Sequence, residues 1–153
     1  GTPVFRARRI EAGLMSQAEF DETTTPYDAG LGHFVKIDDR DFIGKAALET
    51  ADKRNRTFGM RVRGGIAERG RAMSIDGKIV GQVCSSSWSP FQECGVALVR
   101  VDDPAIGPGT EVRVLGNDQK TYEAVLCGLP MYDAAGDIVR GRVTDPPSGP
   151  DPW

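Results

Sequence analysis

The chain has 153 residues, of which 39% are hydrophobic and 27% charged, and its formal net charge is −3. This length fits one globular domain, or one small domain with an extra layer, and no apolar run approaches the ~20 residues that span a bilayer. Lysine and arginine are spread along the chain, so the one-sided basic surface that nucleic-acid binding needs is not expected. The composition therefore predicts neither a nucleic-acid partner nor a membrane span.

The chain has three cysteines, Cys84, Cys94 and Cys127, and a single histidine. Their spacing is not that of metal ligands, and an odd number favours free thiols in a reducing compartment over a disulfide. A thiol enzyme is disfavoured because His33 is far from Cys84 and Cys94 in the sequence. We therefore expect a cytoplasmic protein without a metal site.

The first segments of the chain have no clear period. Apolar residues and arginines follow no single period over residues 4–15, so the sequence predicts either a helix or a strand there. Three carboxylates, those of Glu19, Asp21 and Glu22, precede a run of threonines and Pro26. A metal site would need oxygen ligands at several spaced backbone positions, so a solvated loop is the favoured interpretation.

A short strand and a helix are predicted next. Branched and aromatic residues at 34–37 favour a strand, and the acidic turn at 38–41 offers an N-cap. From residue 42 to about 54 the apolar positions recur every three or four residues. This pattern predicts an amphipathic helix with one buried face.

From residue 57 onward the sequence is typical of β-structure. Asp76-Gly77 lies between two β-prone runs and indicates a tight hairpin, because a type I′ turn needs positive φ at both central residues. Residues 84–90 are predicted to form a Ser/Trp/Pro loop. The predicted strands cover residues 58–62, 71–75, 78–83, 95–101, 110–115 and 121–127. Six short strands suggest a closed or nearly closed antiparallel barrel, because closure removes exposed edges.

The predicted fold is mainly β within the α+β class: a six-stranded antiparallel β-barrel preceded by a short α/β segment with one amphipathic helix. We expect three regions: residues 1–55, residues 56–136 forming the barrel, and a proline-rich tail at 137–153. The chain does not begin with Met, which favours a piece of a longer polypeptide.

Seven sequence blocks carry a family resemblance. They are R-I-E-A-G at 9–13, D-E-T-T-T-P at 21–26, A-G-L-G-x-x-V-K at 29–36, D-F-I-G-K-x-A-L at 41–48, K-I-V-G-Q-V-C-S-S-S-W-S-P at 78–90, G-V-A-L-V at 95–99 and P-G-T-E-V at 108–112. In order and spacing the chain resembles the C-terminal portion of the glycine-cleavage T-protein (aminomethyltransferase) family and its demethylating relatives.

The resemblance implies an enzyme that passes a one-carbon unit from a small amine, sulfonium or methoxy donor to tetrahydrofolate. It implies that residues 1–55 are the end of a folate-binding region whose larger N-terminal part, with the catalytic aspartate, is missing here. No catalytic residue is assigned to this chain, and the fragment alone is expected to be inactive. The alternative is a non-catalytic barrel module that mediates interdomain or subunit contacts.

Three residues are predicted to border the folate through this resemblance. Arg9 would face the cofactor or a substrate carboxylate, or else would fix the interface between layers. His33 would stack on or hydrogen-bond the pteridine, or else be a buried structural histidine. Glu22 would orient a loop beside the folate channel, or else be a solvated surface acid.

The chain also departs from the family pattern. Residues 4–7, Val-Phe-Arg-Ala, stand where aminomethyltransferases usually have A-R-D, and residues 15–19 lack the Tyr-Gly pair of L-Y-G-x-D. Residues 84–90 replace T-S-G-x-x-S-P. These differences favour a relative that demethylates a compound other than the glycine-cleavage substrate. Trp88 in the last block is expected to pack on the barrel end, or else to anchor a substrate or another domain.

Overall fold

A computed structural model describes residues 1–103 and 105–144 of the chain. Two α-helices and one 3₁₀ turn precede six strands. The helices are α1 (Thr2–Glu11) and α2 (Lys45–Thr50), with the 3₁₀ turn Gly32–Phe34 between them. The strands are β1 (Thr57–Val62), β2 (Ala72–Ile75), β3 (Lys78–Ser89), β4 (Cys94–Val101), β5 (Glu111–Leu115) and β6 (Thr121–Cys127).

The six strands close into an antiparallel barrel in the order β1-β4-β3-β2-β5-β6, and β6 pairs back onto β1. The predicted barrel is confirmed. Its interior is filled by apolar side chains from every strand, among them Met60, Met73, Val99 and Leu126, each at most 1% exposed. Alternate residues of each strand point inward, so a short sequence of alternating apolar residues is enough to build this core.

The hairpin between β2 and β3 has the predicted two-residue turn. Asp76 has a φ of 48° and Gly77 a φ of 80°. Positive φ at both positions matches the right-handed twist of the flanking strands, which is why Asp-Gly is favoured there. The turn thereby fixes the register in which Ile75 faces Lys78.

Strand β3 is longer than predicted, because residues 84–89 continue the strand instead of forming a loop. A register shift between Val83 and Ser85 bulges the strand at Cys84. Beyond the bulge β3 pairs with β4 through Ser89, which lies opposite Cys94. Serine and proline favour loops locally, but the ladder of β4 overrides that preference here.

Residues 4–15, for which helix and strand were both open, form α1 and the turn that follows it. Pro3 lies at the start of the helix, where its missing N–H costs nothing, and Gly13 follows the helix end with a φ of 73°. The buried residues of α1 are Ala7, Ile10 and Glu11. Ile10 packs with Val96, Leu98 and other residues in a second apolar cluster between the helix and the outside of β4.

Two predictions for residues 30–54 are wrong. The expected strand at 34–37 is absent: a 3₁₀ turn ends at Phe34, and residues 35–37 are irregular. A short strand needs a partner, and each barrel strand is already paired on both sides. The expected helix over 42–54 is reduced to α2, which has no buried residue. The helix begins only after Gly44, whose φ of 92° is not helical, and it ends at Ala51, which is extended with a ψ of 151°.

Residues 128–144 follow β6 as turns without helix or strand. Part of this segment packs on the barrel, since Met131 is 7% exposed and joins the second apolar cluster. Of the predicted tail, residues 137–144 form turns. The remainder, residues 145–153, lies outside the described residues.

Candidate functional site

The outer end of β3 and the helix α1 meet in a polar contact. Three serines at alternate positions of β3 meet α1. Ser85 accepts a hydrogen bond from Arg9 Nη2 at 2.7 Å, Ser87 donates to the Pro3 carbonyl at 3.5 Å, and Ser89 donates to Glu11 Oε1. Because strand side chains alternate between faces, residues 85, 87 and 89 are presented together. The Ser/Trp/Pro block predicted as a loop therefore positions the helix.

Arg9 lies at the centre of this contact and its side chain is only 14% exposed. Its Nη1 donates to the Leu14 carbonyl at 3.0 Å and to Glu19 Oε2 at 3.2 Å. These contacts join helix α1, strand β3 and the segment that follows the helix. They match the alternative in which this arginine fixes the interface between layers, while its predicted contact with folate stays a prediction.

The acidic segment, residues 16–24, is an exposed loop as predicted over most of its length, but Glu19 within it is buried. Glu19 is 2% exposed and, besides Arg9, accepts hydrogen bonds from the Ser16 amide and hydroxyl. Arg100 of β4 holds the other end of the segment, with its Nη1 3.0 Å from Asp21 Oδ2. Two arginines from different layers thus bind two of the three acids. The contact was not predictable from local sequence, because Arg100 is about eighty residues away.

The environment of this segment lowers the pKa values of both acids. Burial opposes ionisation of Glu19, but hydrogen bonds from Ser85 and the Ser16 amide and the charge of Arg9 together lower its pKa. Hydrogen bonds from Thr23 and Thr24, with the charge of Arg100, hold the pKa of Asp21 well below its usual range. Both carboxylates are therefore ionised at neutral pH and hold the segment on the barrel.

A second polar cluster is centred on Glu11, which is 1% exposed. Its Oε2 accepts from Arg8 at 3.0 Å and from the Tyr132 hydroxyl at 3.3 Å. The Met131 amide donates to the Glu11 carbonyl at 2.7 Å. The glutamate of the R-I-E-A-G block therefore links α1 to the segment after β6.

The other two predicted site residues lie apart from this contact. Glu22 is exposed, as the surface-acid alternative stated. His33 is also exposed, so the alternative of a buried structural histidine is wrong. Its ring lies against Phe34, with ring centroids 4.0 Å apart, and Phe34 is itself 71% exposed. Both residues are accessible to a ligand or to another protein region.

The three cysteines are free thiols. Cys84 and Cys94 are buried and Cys127 is half-buried, and burial raises the pKa of Cys94 and of Cys127 to about 11. Protonated, buried thiols are poor nucleophiles, which argues against a thiol mechanism. Within residues 1–103 and 105–144, no three His, Cys, Asp or Glu side chains are grouped as metal ligands. No helix in the same residues is long and apolar enough to cross a membrane.

A closed six-stranded barrel, with a helix and an acidic segment bound to its outer face, defines the class of domain. The chain belongs to the family described as the glycine cleavage T-protein C-terminal barrel domain, whose sequence model matches residues 53–133. The resemblance stated from the sequence blocks is thereby confirmed.

Relatives and a solved structure agree with this assignment. The chain is 36% identical to an aminomethyltransferase of Prochlorococcus marinus, over 81% of this chain and 35% of the relative. It is 35% identical to an aminomethyltransferase of Streptomyces coelicolor, over 81% of the chain and 36% of the relative. The crystal structure of glycine cleavage system aminomethyltransferase T from Bartonella henselae matches with a TM-score of 0.73 and 26% identity, over 84% of this chain and 38% of that one. The chain spans about a third of the length of the relatives it matches.

Proposed function

We propose that this chain is the C-terminal part of a tetrahydrofolate-dependent enzyme that transfers a one-carbon unit to folate from a small amine, sulfonium or methoxy donor. The observation that carries this proposal is the match to aminomethyltransferases over 81% of the chain but only 35% of the relative. The departures at residues 4–7 and 15–19 support a donor other than the glycine-cleavage substrate. The missing N-terminal region would supply the catalytic base.

Exposed apolar side chains in residues 1–55 support a missing partner region. Ile43 is fully exposed, Phe5 is 72% exposed and Phe34 is 71% exposed. Leaving several large apolar side chains in water is unfavourable, and such surfaces usually mark interfaces. In the proposed arrangement the N-terminal folate-binding region covers Ile43 and Phe34, so that residues 1–55 close one side of a shared channel.

Glu22, His33 and Phe34 fit a role beside the cofactor in this arrangement. Tetrahydrofolate, when bound, would supply the nitrogen that accepts the one-carbon unit. The rings of His33 and Phe34 are both exposed and inclined at 40° to each other, so either ring face is available to stack on a pteridine. The exposed carboxylate of Glu22 can accept hydrogen bonds from pteridine N–H groups. Arg9 would contribute by position, because its guanidinium already donates to Leu14, Glu19 and Ser85.

Calorimetric titration with tetrahydrofolate tests the proposal. We expect binding by a longer protein that includes the natural N-terminal region, and none by the 153-residue chain. In the longer protein, His33→Ala is expected to weaken binding about tenfold through the lost ring contact. Lys36→Ala, at an exposed position of the same segment, is the matched control and should bind as wild type.

Each other result has a defined meaning. Failure of both proteins to bind contradicts the folate assignment and favours the non-catalytic barrel module. Binding by the short chain alone contradicts a site shared with a second region. Equal losses from His33→Ala and Lys36→Ala contradict the place given to His33.

A further inference from the structure

We infer that a cleft beside α1 binds a small organic anion, with its charged group between Arg6 and Arg69 and its apolar group against Trp88. The cleft consists of two adjoining cavities with volumes of about 450 and 360 Å³. They share four lining residues: Thr2, Arg6, Ser86 and Asn117. Cavities of this size accommodate small ligands.

The larger cavity is cationic. Three arginines line it, Arg6, Arg9 and Arg69, and its described lining includes no aspartate or glutamate. Arg9 is neutralised by Glu19, whereas Arg6 and Arg69 are exposed and form no ion pair or hydrogen bond with any described residue. The neighbouring Glu68 is bonded to Arg71 instead. Two unpaired guanidinium groups in one concave site favour a carboxylate or phosphate, which they can bind with paired N–H donors.

The smaller cavity is largely apolar. Trp88, Ile66, Val4 and Pro90 line it, and Trp88 is 40% exposed although it belongs to a strand of the barrel. An indole face left half in water beside aliphatic side chains is suited to an aromatic or aliphatic ligand group. This environment favours the alternative in which Trp88 anchors a ligand over the one in which it packs on the barrel end.

The junction between the two cavities offers neutral hydrogen-bond donors. The Ser86 hydroxyl and the Asn117 carboxamide line both cavities. Within the described residues neither side chain makes a hydrogen bond that would be lost on binding. The backbone amide of Asn117 donates a hydrogen bond to the Ile66 carbonyl at 3.0 Å, which fixes its position. A ligand with an anionic group joined to an apolar ring would contact both ends and this junction at once.

Neither Glu22 nor His33 lines either cavity. Arg9 does line the larger cavity, but the charged group is placed between Arg6 and Arg69, so this inference does not require folate to contact Arg9. The net charge of −3 also works against non-specific attraction of anions to the chain. Binding here would therefore reflect the local arrangement of the arginines.

The test is a titration of the 153-residue chain, followed by NMR at the Trp88 indole and at the amides of residues 85–88. The probes are phenyl phosphate, benzoate and inorganic phosphate, so that the phosphate and carboxylate sources are distinguished. We expect phenyl phosphate or benzoate to bind, and Arg69→Ala and Arg6→Ala each to weaken binding about tenfold. Trp88→Ala is expected to weaken phenyl phosphate binding more than inorganic phosphate binding.

Arg40→Ala removes an exposed arginine outside the cleft and is the matched control. The inference is overturned if none of the probes shifts these signals. It is also overturned if Arg40→Ala weakens binding as much as Arg69→Ala, because the effect would then follow net charge alone. All variants replace exposed side chains, and an unchanged reference spectrum will show that each variant is folded.

Discussion

The barrel and residues 1–55 are stabilised in different ways. Barrel strands are paired on both sides around an apolar interior in which Met60 and Val99 are both 0% exposed. Residues 1–55 have one docked helix and two further buried apolar side chains, Tyr27 and Ala29. They are also attached through ion pairs such as Arg9–Glu19 and Arg100–Asp21. The comparison shows that a closed sheet can pair its backbone hydrogen-bonding groups and bury apolar side chains within itself. The segment before it depends partly on individual ion pairs and leaves large apolar side chains exposed.

The largest expected difference in the free energy of unfolding is between two alanine substitutions, one in the barrel and one in residues 1–55. Leu126→Ala, at a side chain 1% exposed inside the barrel, is expected to lower the free energy of unfolding by about 3 kcal/mol through lost burial and a residual cavity. Ile43→Ala, at a fully exposed side chain, is expected to change it by less than about 0.5 kcal/mol. Urea denaturation measures both. Equal losses would show that residues 1–55 have a core of their own.

A smaller effect is expected from the ion pair that holds the acidic segment. Glu19→Gln leaves the largely buried Arg9 without its counter-ion and is expected to lower the free energy of unfolding by about 2 kcal/mol. It should also make residues 16–24 more sensitive to protease. Glu22→Gln, three residues away and exposed, is the control and is expected to be neutral. Similar behaviour of the two variants would contradict the role given to Glu19.

The smallest expected effect is the weakening of the Arg9–Glu19 ion pair by acid, which should be negligible near neutral pH. The pKa of Glu19 is lowered in the folded protein from its ordinary value of 4.5, so the unfolded chain binds this proton more tightly. Stability from this group is therefore present above that value and is lost as the pH falls toward the folded-state pKa. We expect the difference in unfolding free energy between wild type and Glu19→Gln to narrow on acidification. A difference that stays constant with pH would contradict this linkage.

The fold of the barrel was predictable because its signals are local. The Asp76-Gly77 turn and the alternating apolar residues of β1, β5 and β6 specify strands through neighbours in the sequence. The predictions failed where the local structure depends on pairing with residues that are distant in the sequence. Residues 34–37 had strand propensity but no free edge to pair with, and residues 84–89 looked like a loop but pair with β4.

The candidate site was less predictable for the same physical reason. Arg9 was identified from its motif, yet its partners Glu19 and Ser85 are determined by how α1 lies across β3. Burial of Glu19 could not be inferred from a run of acids, which is solvated in most contexts. The unpaired state of Arg6 and Arg69 also depends on the folded arrangement of all nearby carboxylates.

The three serines of β3 have a consequence for folding kinetics. Ser85 and Ser89 are separated by 76 and 78 residues from their partners Arg9 and Glu11, so closing these long loops carries a high entropic cost, and we expect α1 to dock after the transition state of barrel folding. Contacts that form after the transition state affect the unfolding rate more than the folding rate. Substitutions at this helix-docking face should therefore shorten the lifetime of the folded protein while leaving its rate of formation nearly unchanged.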